Sequence, residues 1–183
     1  MTIRYIALCG APETGKSEVQ RLLAMHYAFK PIDDSRILRE ATMILYGLED
    51  WHVSTQEGKA TIVTVGNEEI TVRRLLGELG LYLEERDPHH IPKRALQDAI
   101  RDFPGERLSF GSVRRDQAKV FRDTQEALIV EVRRPGFHVI NDFDDYQRDL
   151  VDVVLHNAFD PEDLKGSSAR LLTEIERKIA PLL

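Results

Sequence analysis

The first apolar stretch, residues 3–9, is cut off by Gly10 after about seven residues, which suits a strand buried on both faces better than a helix. From Lys16 to about Phe29 the apolar positions Val19, Leu22, Leu23 and Tyr27 recur at helical spacing, so the chain opens as strand, glycine loop, helix. Pro31 bars further helix, and Asp33, Asp34 and Ser35 offer caps for a second one over residues 35–45, which Gly47 stops. Residues 61–65 and 70–72 flank Gly66-Asn67-Glu68-Glu69 and read as a β-hairpin. Leu75, Leu76, Leu79 and Leu83 then mark an amphipathic helix, Pro88 and Pro92 bracket a loop, and another helix covers 93–102. After Pro104-Gly105 the pattern alternates: strand 107–113, helix 115–124, strands 127–132 and 150–155, and a last helix from Pro161 with Leu164, Leu171, Leu172, Ile175 and Ile179 on one face.

Strands separated by helices pair in parallel through right-handed crossovers. The expected fold is therefore α/β, a doubly wound parallel sheet of five strands in one domain, residues 1–183, with residues 48–105 as a helical and β-hairpin insertion. Ligands of such sheets bind beyond the carboxyl ends of the strands, which should bring segments 10–17, 33–39, 112–115 and 133–135 to one crevice.

Composition narrows the partners. A net charge of −6 and a pI near 5.5 argue against a broad nucleic-acid surface, so a phosphate ligand must be held by a few local cations. Cys9 is the only cysteine and excludes an internal disulfide. No apolar stretch approaches the ~20 residues of a membrane span, and the N-terminal apolar run is too short for a signal sequence. The expectation is a cytoplasmic protein with neither nucleic acid nor membrane as partner. Oligomeric state stays open, a homodimer among the options.

Gly10-Ala11-Pro12-Glu13-Thr14-Gly15-Lys16-Ser17 matches the P-loop pattern in the strand-to-helix context that the motif requires. Its glycines let the backbone turn tightly and approach phosphate oxygens. Pro12 cannot donate, so the amides of Glu13, Thr14, Gly15, Lys16 and Ser17 are the expected donors, at a helix N-terminus whose dipole favours anions. Lys16 is expected on the β- and γ-phosphates of ATP, and the Ser17 hydroxyl on Mg²⁺. A guanine-reading Asn-Lys-x-Asp is absent, and where motor ATPases show an apolar run ending in Asp, the strand near 107–113 ends Gly111-Ser112 and the strand near 127–132 carries only Glu131. A small kinase fits these features best.

The chain resembles the deoxynucleoside monophosphate kinases of phages and bacteria, within the adenylate-kinase-like P-loop group. The likeness lies in Lys30-Pro31-Ile32-Asp33-Asp34-Ser35-Arg36 through Arg39, in Ile44-Leu45-Tyr46-Gly47-Leu48, in Gly58-Lys59, and in Thr71-Val72-Arg73-Arg74-Leu75-Leu76 with Leu79-Gly80 and Arg86. Ser112-Val113-Arg114, Glu131-Val132-Arg133 and the strand ending His156-Asn157 continue it. The resemblance implies transfer of the γ-phosphoryl group of ATP to a nucleoside monophosphate. It places Arg114 and Arg133 with Lys16 on the transferring group, Asn157 at the nucleotide, and Asp33, Arg36, Arg39, Arg73 and Arg86 at the acceptor; because Arg73 follows the hairpin and Arg86 follows the next helix, a compact insertion is expected to bring both to one phosphate as a pair. Ser112 stands where the family pattern has Asp, which moves the expected Mg²⁺ ligand to Asp33 or Asp34, Asp33 being the one taken forward. Asp142, Asp144 and Asp145 read as a solvated loop, in the region of an expected lid between Arg134 and Tyr146. The alternatives are a dephospho-coenzyme A kinase, which shares this core, and a nucleotide-binding module without catalysis.

Overall fold

The computed structural model describes residues 3–139 and 145–183; Asp142, Asp144 and part of the expected lid lie outside them. The elements run β1 (Tyr5–Cys9), α1 (Lys16–Tyr27), β2 (Phe29–Ile32), α2 (Arg36–Tyr46), α3 (Asp50–Ser54), α4 (Gln56–Ala60), β3 (Ile62–Val65) and β4 (Glu68–Thr71). They continue as α5 (Val72–Arg86), α6 (His90–Asp102), β5 (Arg107–Phe110), α7 (Gln117–Gln125), β6 (Leu128–Arg133), β7 (Val153–His156) and α8 (Leu164–Lys178). These form two compact units, residues 1–34 with 92–183, and residues 35–91.

In the first unit, five strands make one parallel sheet in the order β2-β5-β1-β6-β7. Its strands alternate strictly between two cores. Ile6, Leu8, Leu128, Val130 and Val132 point to the layer holding Leu22, Leu23, Leu171 and Ile175 of α1 and α8. Ala7, Cys9, Ala127 and Ile129 point to the layer holding Leu96, Ala99, Ala118 and Phe121 of α6 and α7. With each buried Leu, Ile or Phe contributing about 1.5–3 kcal/mol, β1 and β6 are the best-anchored strands of the sheet. The connection from β1 leaves toward β2 and that from β6 toward β7, so the sheet reverses its winding between these two strands, where a ligand crevice forms.

The fifth strand is the element that periodicity hides. Helix α1 stops at Tyr27 because Ala28 takes a left-handed φ of 55°, its N–H closing on the Leu23 carbonyl, and the chain leaves as β2 with Phe29 buried. β2 pairs only with β5, so Pro31 sits on an edge where proline is tolerated. Pro92, read as a loop residue, lies in the first turn of α6, where an amide has no helical partner to lose.

The second unit holds α2 to α5 and the β3–β4 hairpin. Val65 faces Glu68, so the hairpin turn is only Gly66-Asn67, with Gly66 at a φ of 62° that a tight primed turn requires. Residues 50–60 form two short helices that the sequence reading left unassigned. Gly58 permits them: a Cβ there would stand 2.0 Å from the Trp51 carbonyl oxygen. Among the described residues no helix is long and apolar enough to cross a membrane.

Candidate functional site

The loop after β1 is held by contacts that reach it from the strands beside it. A Cβ on Gly10 (φ 134°) would meet the Val132 carbonyl oxygen at 2.4 Å, and one on Gly15 (φ 99°) would meet Asn157 Nδ2 at 2.3 Å, so both glycines are required by close approach. Glu13, at the tip, takes a left-handed φ of 64°. Inside the loop, Thr14 Oγ1 donates to the Ala11 carbonyl at 2.9 Å. Asn157, buried at the end of β7, donates its Nδ2 to the Thr14 carbonyl at 2.8 Å and its backbone N–H to the Arg133 carbonyl at 2.7 Å. Lys16 Nζ bridges the Gly10 and Ala11 carbonyls at 2.8 Å each. No side chain caps the N-terminus of α1, so its first amides are open to an anion.

The next strand ends bring a carboxylate. Asp34, just past β2, is 5% exposed; its Oδ2 accepts from the Ser112 N–H at 3.0 Å, and its Oδ1 is buried without a hydrogen-bond partner. Burial pushes this carboxyl above the usual range, opposed by the Ser112 bond and by the charges of Arg114 and Lys16. A carboxylate from position 34 thus stands against the backbone of Ser112. Asp33 is exposed. Gln20 of α1 donates to the Ile32 carbonyl at 3.2 Å and the Ser109 carbonyl at 2.7 Å, tying the ends of β2 and β5 to the helix that follows the loop. Arg114 is half-buried, its backbone N–H donating to Gln117 Oε1.

On the other side of β1, a cleft of about 530 Å³ is walled by Ala11 and Thr14 of the loop, by residues 131–139 and by Tyr146, Arg148 and His156. Arg133 reaches it while paired with Glu131, Nε to Oε1 at 2.6 Å and Nη2 to Oε2 at 2.8 Å. Arg134 Nη1 donates to the Glu13 carbonyl at 3.3 Å, and its guanidinium lies 4.2 Å from the ring centres of both Phe137 and Phe159. Arg134 also borders a second cleft of about 310 Å³, formed with Gly15, Asn157, Phe159 and Leu164. A parallel sheet with a glycine loop on its central strand and an open helix N-terminus behind it decides the fold. It is a P-loop NTPase-type fold.

Comparison with known proteins adds outline only. No protein-family model matches the chain, and no curated protein matches it. Similar solved structures include dephospho-CoA kinase from Campylobacter jejuni, 15% identical over 96% of this chain and 98% of that one, with a TM-score of 0.48. A sugar kinase from a Janibacter species is 14% identical over 95% of each chain, with a TM-score of 0.44. A protein from Thermus thermophilus is 18% identical over 96% of this chain and 99% of that one, with a TM-score of 0.45. Likeness at this level says nothing of substrate.

The remaining predicted residues lie in the second unit. Arg36 and Arg39 are one turn apart on α2; Arg36 approaches Glu40 at 3.7 Å, and Arg39 Nη1 donates to Ser35 Oγ at 3.1 Å. Arg73 donates to Gln56, and Arg86 lies over the Tyr82 ring. The expectation that Arg73 and Arg86 share one phosphate fails on geometry. They sit at opposite ends of the single helix α5, about 20 Å apart along its axis and on nearly opposite faces at 1.5 Å and 100° per residue. Three residues that line the clefts were not legible as such in the sequence reading. Glu131 carried a usable signal, a carboxylate inside a mostly apolar strand; Tyr146 and Phe159 carried none, because their places at the clefts come from distant partners.

Proposed function

We propose that this chain is an ATP-dependent phosphotransferase that moves a γ-phosphoryl group to a small acceptor. The observation that carries the reading is Asp34: a buried carboxylate with an unpartnered oxygen, at the strand end next to the P-loop's own strand-end neighbour and within the field of Lys16 and Arg114. A phosphotransferase can use such a group as a metal ligand or as a proton acceptor.

The loop amides and Lys16 would hold the β- and γ-phosphates, Lys16 leaving its two carbonyl partners for stronger charge-assisted bonds. Arg114 and Arg133 would face the charge that develops on the transferring group. The residues fit Mg²⁺: the Ser17 hydroxyl and the orphan Asp34 oxygen supply the one or two protein ligands that this ion takes beside phosphate and water. When bound, the ion neutralises phosphate charge and orients the γ-phosphoryl group. The donor's base would lie in one of the two clefts that Arg134 borders, against Phe137 or Phe159.

For the acceptor, the resemblance favours a deoxynucleoside or ribonucleoside monophosphate. Its phosphate would be held by Arg39 and Arg36, whose three-residue spacing puts them on one helix face. One observation favours a second reading, a hydroxyl acceptor such as dephospho-coenzyme A: burial raises the Asp34 carboxyl, which makes it a better proton acceptor. A phosphate nucleophile needs no such base. Coupled ADP release across ribo- and deoxynucleoside monophosphates and dephospho-coenzyme A tests both. Acceptor-dependent ADP release is expected; its absence with every acceptor, in a protein that binds Mg-ATP, would leave only a binding module.

A further inference from the structure

The wall of the larger cleft holds a charged group that phosphoryl transfer leaves unused. Glu131 is 2% exposed in an otherwise apolar strand, where an unpaired carboxylate would be strongly unfavourable. Both oxygens are engaged: Oε1 accepts from Arg133 Nε and from the Tyr146 hydroxyl, each at 2.6 Å, and Oε2 accepts from Arg133 Nη2 at 2.8 Å. Burial pushes the Glu131 carboxyl up, but the bonds from Arg133 and Tyr146 outweigh it and hold the group below the usual carboxylate range. Tyr146 is itself buried and fixed by a backbone bridge to Arg115.

The geometry of the pair is directional. Glu131 takes the Nε–Nη2 edge of the guanidinium, so the Nη1 side faces away from it. The Glu131 end of the pair is buried, whereas the Arg133 side chain is half-exposed and lines the cleft with Ala11 and Thr14 of the P-loop. The Arg133 backbone is fixed too, its carbonyl taken by the Asn157 N–H.

We propose that Glu131 and Tyr146 are positioning residues that hold the Arg133 guanidinium with its outer edge toward the phosphates of a nucleotide on the P-loop. An arginine already immobilised by a carboxylate has lost its side-chain freedom before the ligand arrives, so less is lost on binding. The effect on turnover rests on the phosphotransferase reading; the effect on nucleotide affinity does not.

The test is a double-mutant cycle on Glu131→Gln and Arg133→Ala, with Tyr146→Phe as a gentler probe. ATP and ADP affinity are read by calorimetry, kcat and KM by ADP release, and folding by circular dichroism. Arg133→Ala is expected to cost roughly ten- to a hundredfold in ATP affinity or kcat, and Glu131→Gln about tenfold. The double variant should be no worse than Arg133→Ala alone, because Glu131 acts only through Arg133. Tyr146→Phe should cost about threefold, and nothing in the Arg133→Ala background. Added guanidine should restore function to Arg133→Ala only while Glu131 is present. A Glu131→Gln variant with unchanged or tighter nucleotide binding and unchanged kcat overturns the proposal, as do multiplicative losses in the cycle. If Glu131→Gln does not fold, the Tyr146→Phe cycle with Arg133→Ala decides alone. A wild type that binds ATP without transferring phosphate sinks the phosphotransferase reading only, and the cycle is then judged on affinity; a wild type that binds no nucleotide overturns both.

Discussion

The groups around the P-loop and the arginines of the second unit are held in opposite ways. In the first unit, Thr14, Asp34, Glu131 and Asn157 are all buried and held by hydrogen bonds to backbone or to neighbouring side chains, Asp34 through Oδ2 alone, so the groups around the P-loop are set before any ligand arrives. In the second, Arg36, Arg73 and Arg86 have neighbours on their own helix or within the same unit, and Arg36 and Arg86 are exposed. Exposed contacts of this kind are worth little and exchange readily. On the proposed function, donor chemistry would be written into backbone geometry, whereas acceptor chemistry would be left to side chains that can change partners. That contrast orders the expected effects of mutation.

Lys16→Ala should have the largest. It removes the one cationic side chain of the loop and the two bonds that span it, and should cost at least ~10²–10³-fold in kcat while the two cores keep the fold intact. ADP release and circular dichroism check this. A folded variant with more than a tenth of wild-type turnover would break the assignment of the first unit as the donor half.

Asp34→Asn comes next, with a loss of about a hundredfold in kcat and, unusually, a gain in stability. Asp34 has a raised folded-state pKa, so its stabilising share is complete below the ordinary carboxylate range and is lost as pH rises through its folded value. Asparagine keeps the acceptor for Ser112 but never ionises. The variant's thermal midpoint, measured without Mg²⁺, should therefore exceed that of the wild type near neutral pH and converge with it in acid. The kinetics also separate the two acceptors: a raised Mg²⁺ requirement points to a metal ligand, a lost pH dependence of kcat to a base. A lower midpoint at pH 7 with normal turnover would remove Asp34 from the site.

Within the second unit, Arg39→Ala should weaken acceptor binding by roughly ten- to a hundredfold, the loss of one charge-assisted contact. Arg86→Ala, at the far end of α5, should change it less than about threefold. Calorimetry with the acceptor found by the ADP-release panel decides. Equal losses at both positions would mean that α2 does not carry the phosphate contact, and a loss of ATP affinity at either would blur the division between the units.

Local signals carried most elements of both units: in the second, α2, the β3–β4 hairpin and α5 were legible, and only the short helices α3 and α4 were not. The P-loop was legible because its residue types are dictated by backbone approach, as Gly10 and Gly15 show. The strands β1, β5, β6 and β7 were legible from their apolar runs, but β2 was not, because an edge strand of four residues containing a proline has almost no periodicity of its own. Asp34 could not be told from Asp33 by sequence. Adjacent residues in a turn differ only in which one points inward, and the Ser112 N–H settles that from 78 positions away. The pairing of Arg73 with Arg86 failed because the reading ended the helix before Arg86, whereas α5 runs unbroken between the two positions.

Asn157 gives a smaller effect than Lys16, Asp34 or Arg39, and the finest test of how the proposed donor half is built. At a strand end near the nucleotide, an asparagine could read a base. Here its Nδ2 is given to the Thr14 carbonyl, and Gly15 is close enough that a Cβ would collide with it. Asn157→Ala would leave the Thr14 carbonyl without its buried donor, a cost of about 1–3 kcal/mol, part of which should appear as a five- to tenfold loss of nucleotide affinity through a looser loop. A positioning role makes that loss blind to the base: ATP, ADP and GTP should weaken by the same factor, together with a lower thermal midpoint in the apo protein. A base-reading role makes it selective, with ATP weakened and GTP little changed, and leaves apo stability alone. Calorimetry with three nucleotides and one melting curve separate them, because a group that shapes the loop acts on every phosphate chain alike.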